Sequence, residues 1–150
     1  MVMYHSWDSQ NTWLRQLLDQ NFLYMNAARA KAMGLADFDW VWLASHHGRV
    51  RCQLKTMEGV EPNTVWTWNA VGKQAGAWGL DADAREATHG FLLNHLISEH
   101  LPRRVGERRL SNSDPVTGQA AWYDVRVSIV KAGPSETGTW PVFTPMKGLP

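Results

Sequence analysis

The fold is decided by residues 40–56, which read WVWLASHHGRVRCQLKT. In the second half, Val50, Cys52 and Leu54 alternate with charged or amide side chains, and this period of two indicates a strand with one face in the core. The first five residues are aromatic, β-branched or apolar, which favours a partner strand. Gly48 is expected to supply the positive φ of a tight connection. The stretch predicts an antiparallel hairpin, with Cys52 a small buried hydrophobe rather than a reactive thiol.

Upstream of the hairpin, the sequence predicts a strand, a capped helix and a turn. Residues 22–25 form a short apolar run that is consistent with a strand. Asn26 then caps an alanine-rich helix over residues 27–33, and Gly34 follows as its C-terminal stop. Residues 35–39 form a polar-rimmed turn that leads into the hairpin.

Downstream of the hairpin, residues 64–68 look like another strand, and then the pattern changes. Residues 69–79 hold three glycines without alternation, and they predict a loop that either approaches a ligand closely or is a plain surface excursion. Residues 81–88 are a short helical candidate. The apolar stretch 91–101 is another, interrupted by Asn94, whose amide needs a backbone partner or a ligand if it is buried.

The chain closes with one more strand and a tail. Alternation of apolar and polar residues predicts the last strand over residues 122–130. Residues 133–150 are rich in Pro, Gly and Thr, so we expect one domain over residues 1–132 and an extended tail that is laid over a larger body or loose in solution. The order of the elements favours a small closed barrel over a βαβ sheet.

Residues 4–16 pack two tryptophans among hydrogen-bonding side chains. Asp8 or Ser9 is the expected N-cap of a helix from about Gln10 to Leu18. The start of such a helix offers N–H donors to a phosphate or another anion. The alternative is an ordinary capped helix with both tryptophans in the core.

Composition narrows the function classes. The chain has 150 residues, 44% of them hydrophobic and 19% charged, which is typical of a soluble globular domain. No apolar run approaches a membrane span, and no export signal is apparent at the amino terminus. The single cysteine excludes an internal disulfide. A net charge of +1 argues against broad nucleic-acid binding, although the arginines of residues 103–109 form either a solvated loop or an anion contact. Nine tryptophans suggest flat ligand surfaces or a broad interface as well as core.

Several motifs together carry a family resemblance: HSW at 5–7, SQNTWLR at 9–15, GLAD at 34–37 with Asp39 and the hairpin, VWTWN at 65–69 with GK at 72–73, Asn94, Asn112, DP at 114–115 and TG at 117–118. From about Tyr4 to Lys131, the sequence resembles the C-terminal molybdopterin-dinucleotide-binding domain of the dimethyl-sulfoxide-reductase superfamily of molybdenum and tungsten oxidoreductases. The stretch GQAAWYD at 118–124, with the tryptophans of 65–69, is similar to large subunits of sulfite dehydrogenases and polysulfide or thiosulfate reductases.

The resemblance implies an all-β domain with peripheral helices, built as a six-stranded double-psi β-barrel. Its loops would hold part of a bis(molybdopterin guanine dinucleotide) cofactor, with no metal ligand or catalytic residue in this chain. The implied cofactor-binding residues are His5, Ser6, Trp7, Ser9, Gln10, Trp68, Asn69, Lys73, Asn94, Asn112, Asp114 and Gln119. Asp8 and Phe38 stand where this branch usually has glycine, and of the two Phe38 tolerates a positive φ less well.

The resemblance also implies what the chain lacks. The molybdenum or tungsten ligand and the iron–sulfur clusters of the family lie in other domains, so this chain alone is expected to be inactive. Its expected partners are the remaining domains of a catalytic subunit, together with an iron–sulfur subunit, in the cytoplasm, with no direct membrane span.

Two alternatives stay open. The chain could be a non-catalytic barrel whose tryptophan-rich surface docks a partner. It could also be a small enzyme built on His46 and His47, or on His89, His95 and His100. However, His95 and His100 are not spaced to share a helix face, and no carboxylate is an obvious partner of these histidines.

Overall fold

A computed structural model describes residues 8, 11–68, 81, 83, 89–97, 113–120, 125–133 and 136. The predicted glycine-rich loop at 69–79 and the arginine-rich loop lie outside these residues. So do most of the helical candidate at 81–88 and most of the tail.

The described strands form one mixed sheet. The five strands are β1 (Leu23–Met25), β2 (Trp40–Ala44), β3 (Arg49–Thr56), β4 (Val65–Trp66) and β5 (Ser128–Lys131). Their order in the sheet is β4-β1-β3-β2-β5. The β1–β3 pair is parallel and the other three pairs are antiparallel. The sheet curls as a half-barrel, and with few helices the domain is mostly β, as the sequence predicted.

The predicted hairpin is confirmed, but its turn is held differently than expected. Strands β2 and β3 pair in register, with Val41 opposite Cys52. Gly48 is not among the described residues with a positive φ, so the prediction that it supplies one is wrong. The Ser45 hydroxyl holds the turn instead, because its Oγ accepts from the N–H groups of His47 (3.0 Å) and Gly48 (3.3 Å).

The first helix begins later than predicted. Helix α1 spans Thr12–Leu17, and its N-cap is Asn11 rather than Asp8 or Ser9. The Asn11 side-chain oxygen accepts from the N–H groups of Trp13 (3.0 Å) and Leu14 (3.4 Å), which fixes the helix start there. The alternative that placed Trp13 in the core is also wrong, because this side chain is 76% exposed.

The second helix follows the prediction. Helix α2 spans Ala27–Ala32, and Asn26 caps it through a 3.1 Å bond from the Arg29 N–H to its side-chain oxygen. Gly34 ends it with a φ of 68°, the left-handed conformation that glycine adopts without strain. Further along the chain, a 3₁₀ helix spans Leu93–Leu96 within the stretch where the sequence suggested a helix.

The core lies on one face of the sheet. It is formed by buried side chains of α2, of β1 to β3, of the 3₁₀ helix and of the residues beside the two helices: Leu23, Met25, Ala30, Leu35, Val41, Leu43, Val50, Cys52, Leu54, Phe91 and Leu96. Cys52 is fully buried as predicted, and burial raises the pKa of its thiol. None of the helices in the described part of the chain has the length and apolar character that a membrane crossing needs.

The turn before β2 contains a strained residue. Phe38 has a φ of 68°, in the region that costs a non-glycine side chain free energy. Its N–H donates to the Leu54 carbonyl (2.8 Å), and its own carbonyl accepts from the Gln53 side chain (3.1 Å). The ring also packs edge-on against Phe22, with 5.9 Å between the centroids. The turn therefore keeps a glycine-like backbone although phenylalanine occupies it.

Two strands are shorter than predicted. Strand β4 ends at Trp66, and the Trp68 carbonyl beyond it accepts from the Asn21 side chain. Strand β5 begins at Ser128, although residues 125–127 continue the alternation of half-buried and exposed side chains.

Candidate cofactor-binding site

Four of the predicted site residues can be located. They are Trp68, Asn94, Asp114 and Gln119, on three separate segments, of which one holds both Asp114 and Gln119 in a single turn. The others lie outside the described residues: His5, Ser6, Trp7, Ser9, Gln10, Asn69, Lys73 and Asn112.

Trp68 belongs to a row of aromatic rings at the β4 edge of the sheet. The Tyr24 and Trp66 rings stack, with 4.3 Å between centroids and 11° between planes. Trp68 then meets Trp66 edge-to-face, at 4.8 Å and 89°. All three side chains are half-buried, so each keeps part of its surface accessible. We call Tyr24, Trp66 and Trp68 the aromatic row, and its exposed parts can pack against a flat heterocycle.

Asn21 fixes the end of the aromatic row, a role that sequence reasoning missed. This amide is fully buried beside β1. Its Nδ2 donates to the Trp68 carbonyl (2.8 Å), and its Oδ1 accepts from the Thr67 hydroxyl (3.0 Å). Because a buried amide must be paired, Asn21 determines where the chain leaves β4 and enters the predicted ligand loop. A polar pair directly before an apolar run, Gln20-Asn21, was the available sequence signal.

The Asp114 side chain accepts hydrogen bonds within its own turn. Its Oδ1 accepts from the N–H groups of Val116 (2.9 Å) and Thr117 (2.7 Å) and from the Thr117 hydroxyl (3.0 Å). These bonds, led by the Thr117 N–H, lower the pKa of the carboxyl group. Gly118 closes the turn with a φ of 71°. The Asp114 carboxylate therefore stabilises this exposed loop through its Oδ1 atom.

Gln119 and Asn94 present exposed side chains. The Gln119 backbone carbonyl accepts from the Asp114 N–H (2.8 Å), so the backbone of this residue also belongs to the turn. Asn94 lies on the 3₁₀ helix and is exposed, so the premise that a buried amide needs a partner there is wrong. The Ser45 hydroxyl anchors this helix to the hairpin turn by donating to the Leu96 carbonyl (2.6 Å). Both amides remain available to a ligand at the surface.

Helix α1 carries a donor that lacks an acceptor. Asn11 occupies two N–H groups at the start of this six-residue helix, which weakens the prediction of an anion site made from free backbone donors. Within the described part of the chain, however, Nη1 of Arg15 is buried and has no hydrogen-bond partner. A buried guanidinium donor is costly until an acceptor reaches it, and phosphate oxygens match its geometry. Arg15 is the second site residue that sequence reasoning missed, although it stands inside the SQNTWLR motif.

One histidine at the hairpin turn has a perturbed pKa. Burial, together with the charges of His46 and His95, lowers the pKa of His47. In the described ranges, no group of three or more His, Cys, Asp or Glu side chains is arranged to hold a metal ion. His100, part of the alternative histidine set, lies outside those ranges.

The fold and these residues define a mostly β ligand-binding domain with an aromatic row and a buried guanidinium donor. The family model of the Molydopterin dinucleotide binding domain matches residues 2–108, and the chain belongs to this family. The matched residues include α1, the aromatic row and Asn94. The chain is thus a molybdopterin-dinucleotide-binding module, as its sequence motifs implied.

Three similar proteins place the module in larger chains. One sulfite dehydrogenase subunit, from Allochromatium vinosum, is 59% identical over 151 residues, which cover 100% of this chain and 16% of that protein. The menaquinone reductase, molybdopterin-binding-like subunit of Nitratidesulfovibrio vulgaris is 28% identical over 113 residues, or 75% of this chain and 14% of that one. The structure of acetylene hydratase from Pelobacter acetylenicus superimposes with a TM-score of 0.60 at 17% identity, over 87% of this chain and 17% of that one, a likeness of fold alone. The chain spans less than a fifth of each of these proteins.

Proposed function

We propose that this chain holds part of a bis(molybdopterin guanine dinucleotide) cofactor within the large subunit of a molybdenum or tungsten oxidoreductase. The observation that carries the proposal is the family match over residues 2–108. In this proposal the half-barrel is part of a six-stranded double-psi barrel over residues 1–132, with the tail at 133–150 extending from it. The cofactor, when bound, supplies the redox chemistry.

The described residues have the chemistry that such a ligand needs. Arg15 offers a buried cationic donor to a pyrophosphate oxygen. The aromatic row offers flat apolar surface to a pterin or a guanine, and Asn21 holds the chain that leads on to Asn69 and Lys73. Asn94 and Gln119 carry exposed amides, which suit the donor and acceptor edges of a guanine. These side chains bind and orient, and the proposal gives none of them a part in bond making.

The parent enzyme is proposed to act on a sulfur compound. This rests on the 59% identity to a sulfite dehydrogenase subunit, which covers 16% of that subunit. Because the chain corresponds to so small a share, we propose that the other domains carry the metal ligand and the substrate channel and contact an iron–sulfur subunit. A cytoplasmic location is part of the same proposal and follows from the branch resemblance.

The test is a titration of the purified chain with released molybdopterin guanine dinucleotide, and in parallel with guanosine diphosphate, followed by tryptophan fluorescence and amide chemical shifts. Saturable binding is expected. Replacing Arg15 by glutamine should weaken it by about tenfold or more, since a hydrogen bond to a charged group contributes about 1.5–3 kcal/mol. Gln10→Ala should weaken it as well.

The matched control is Arg29→Gln, which removes the same charge from an exposed position on α2. It should leave the affinity unchanged. If the folded chain binds neither ligand at millimolar concentration, the domain does not hold the dinucleotide by itself, and the docking alternative becomes the better account. If Arg15→Gln and Arg29→Gln weaken binding equally, the guanidinium of Arg15 has no specific role.

A further inference from the structure

One buried amide holds both residues that follow β4. The Asn21 side chain is 0% exposed. Its Nδ2 donates to the Trp68 carbonyl at 2.8 Å, and its Oδ1 accepts from the Thr67 hydroxyl at 3.0 Å. These two partners lie 47 and 46 residues away in the sequence. Asn21 therefore joins the approach to β1 with the chain that leaves the edge strand of the sheet.

The chemistry of the two partners fixes the orientation of the amide. A carbonyl can only accept a hydrogen bond, so the amide nitrogen of Asn21 must face Trp68. The amide oxygen then faces Thr67, whose hydroxyl can donate to it. Removal of this hydroxyl would take a donor away from a buried amide oxygen, and the amide would be held less firmly. Thr67 thus acts on Trp68 through Asn21.

Two independent contacts fix Trp68 in the aromatic row. Its carbonyl is held by Asn21, and its ring meets that of Trp66 edge-to-face, with 4.8 Å between the centroids and 89° between the planes. Trp66 in turn stacks on Tyr24, its partner in the β1–β4 pair. The Trp68 side chain is half-buried, so the orientation of its ring decides which surface it presents to a ligand.

A ring that is fixed before a ligand arrives binds that ligand more tightly. If the ring samples several orientations, only the competent fraction binds, and the apparent dissociation constant rises by the reciprocal of that fraction. Ordering a side chain at the moment of binding also costs conformational entropy. Because Asn21 is fully buried, it offers no surface to a ligand and can act only through its neighbours.

We propose that Asn21 and Thr67 are positioning residues, which hold Trp68 in the orientation in which the aromatic row meets a flat heterocycle of the cofactor. The inference rests on the proposed function, because it takes the pterin or the guanine of the dinucleotide as the ligand of the row. In this arrangement the Trp68 ring makes the contact, and the two residues behind it determine how much of the time the ring is ready to do so.

The first arm of the test needs no ligand. NMR records the nuclear Overhauser effects between the Trp66 and Trp68 rings, which are assigned with Trp66→Phe and Trp68→Phe. Thr67→Val removes the hydroxyl with little change of shape, and it should weaken these effects. Asn21→Ala removes both bonds and should abolish them. Thr67→Ser keeps the hydroxyl and should retain them. If Asn21→Ala does not fold, Thr67→Val at its half-buried position carries the test.

Two controls separate positioning from a loss of stability. Thr64→Val removes a hydroxyl at an exposed position directly before β4. Asn26→Ala removes another buried amide that donates to a backbone carbonyl. Both variants should keep the effects between the Trp66 and Trp68 rings in the folded chain, even where Asn26→Ala lowers the free energy of unfolding.

The second arm repeats the titration with molybdopterin guanine dinucleotide on the same variants. Thr67→Val should raise the dissociation constant about threefold and Asn21→Ala about tenfold or more, as expected for the loss of one and of two neutral hydrogen bonds. Thr67→Ser, Thr64→Val and Asn26→Ala should bind like the parent chain.

The outcomes distinguish a failure of this proposal from a failure of the proposed function. A parent chain that binds no dinucleotide would count against the proposed function, while the first arm would still decide whether Asn21 and Thr67 orient Trp68. Unchanged ring-to-ring effects in Asn21→Ala and Thr67→Val would overturn the positioning role. So would a parent chain that binds the dinucleotide no better than Asn21→Ala does, or an equal loss of affinity in Asn26→Ala.

Discussion

Asn26 performs two structural tasks with one side chain, and the two can be separated by substitution. Its oxygen accepts from the Arg29 N–H (3.1 Å) and caps α2. Its Nδ2 donates to the Val60 carbonyl (2.9 Å), which joins the helix start to the turn after β3. The side chain is 8% exposed and Val60 is 6% exposed, so water cannot readily replace either bond.

The expected cost follows from these contacts. Asn26→Ala removes the cap, for about 1 kcal/mol of unfolding free energy. It also leaves the buried Val60 carbonyl unpaired, for about 1–3 kcal/mol. The sum is about 2–4 kcal/mol. Asn26→Ser retains a good capping oxygen but cannot donate to Val60, so it should cost only the second part, about 1–3 kcal/mol.

Asn11 is the matched control, because it caps another six-residue helix but is exposed. Asn11→Ala should therefore cost only about 0.5–1 kcal/mol. The assay is equilibrium urea unfolding of the three variants, monitored by far-ultraviolet circular dichroism. The reasoning is refuted if Asn26→Ala costs no more than Asn11→Ala, or if Asn26→Ser is as destabilising as Asn26→Ala.

Three further predictions use the same assay. The pKa of His47 is lowered in the folded chain, so the unfolded chain binds the proton at a higher pH. Stability should therefore be full above pH 6.5 and should fall as the pH is lowered through and below that value. His47→Gln should remove this part of the pH dependence between about pH 8 and pH 5, and an unchanged profile would contradict the prediction. At Phe38, the glycine variant should be about 0.5–1 kcal/mol more stable than the alanine variant, because relief of the left-handed strain exceeds the usual entropic cost of glycine; the opposite ranking would mean that this φ carries no strain. Cys52→Ser places a hydroxyl in an apolar core and should cost about 1–3 kcal/mol, while the native thiol should resist a disulfide reagent until the chain unfolds, and rapid labelling of the folded protein would argue against its burial.

Local patterns predicted the elements that depend on local chemistry. The alternation in β3 predicted the hairpin and its buried face. Because successive side chains of a strand lie on opposite faces, the apolar residues of the pattern mark the face that is buried. Asn26 and Gly34 gave the bounds of α2 for the same kind of reason, because a capping oxygen and a left-handed glycine act on their immediate neighbours. The family motifs supplied the cofactor class, which no local pattern could have done.

Interactions across the chain decided what local patterns missed. Gly48 was expected to need a positive φ, but a serine hydroxyl three residues earlier satisfied the turn. Beyond the short strand β4, the chain is held by the Asn21 amide, which is more than 40 residues away in the sequence and bonds the Thr67 hydroxyl and the Trp68 carbonyl. The stacking of two arginines on two tryptophans depends on strand register, which single-strand patterns do not specify. The orphaned donor of Arg15 likewise became apparent only from its burial.

The placement of β1 between β3 and β4 has a consequence for how the domain acquires its structure. The β2–β3 hairpin closes a short loop, and such pairs form within microseconds. The parallel β1–β3 pair must wait for this hairpin, because β1 has no partner until β3 is in place or β4 has been synthesised. The β2–β5 pair joins Val41 to Lys131 and comes last. During synthesis of the chain, the outer edge of β2 therefore stays unpaired with β5 until Lys131 has left the ribosome, and a chaperone that shields this edge should raise the yield of folded protein.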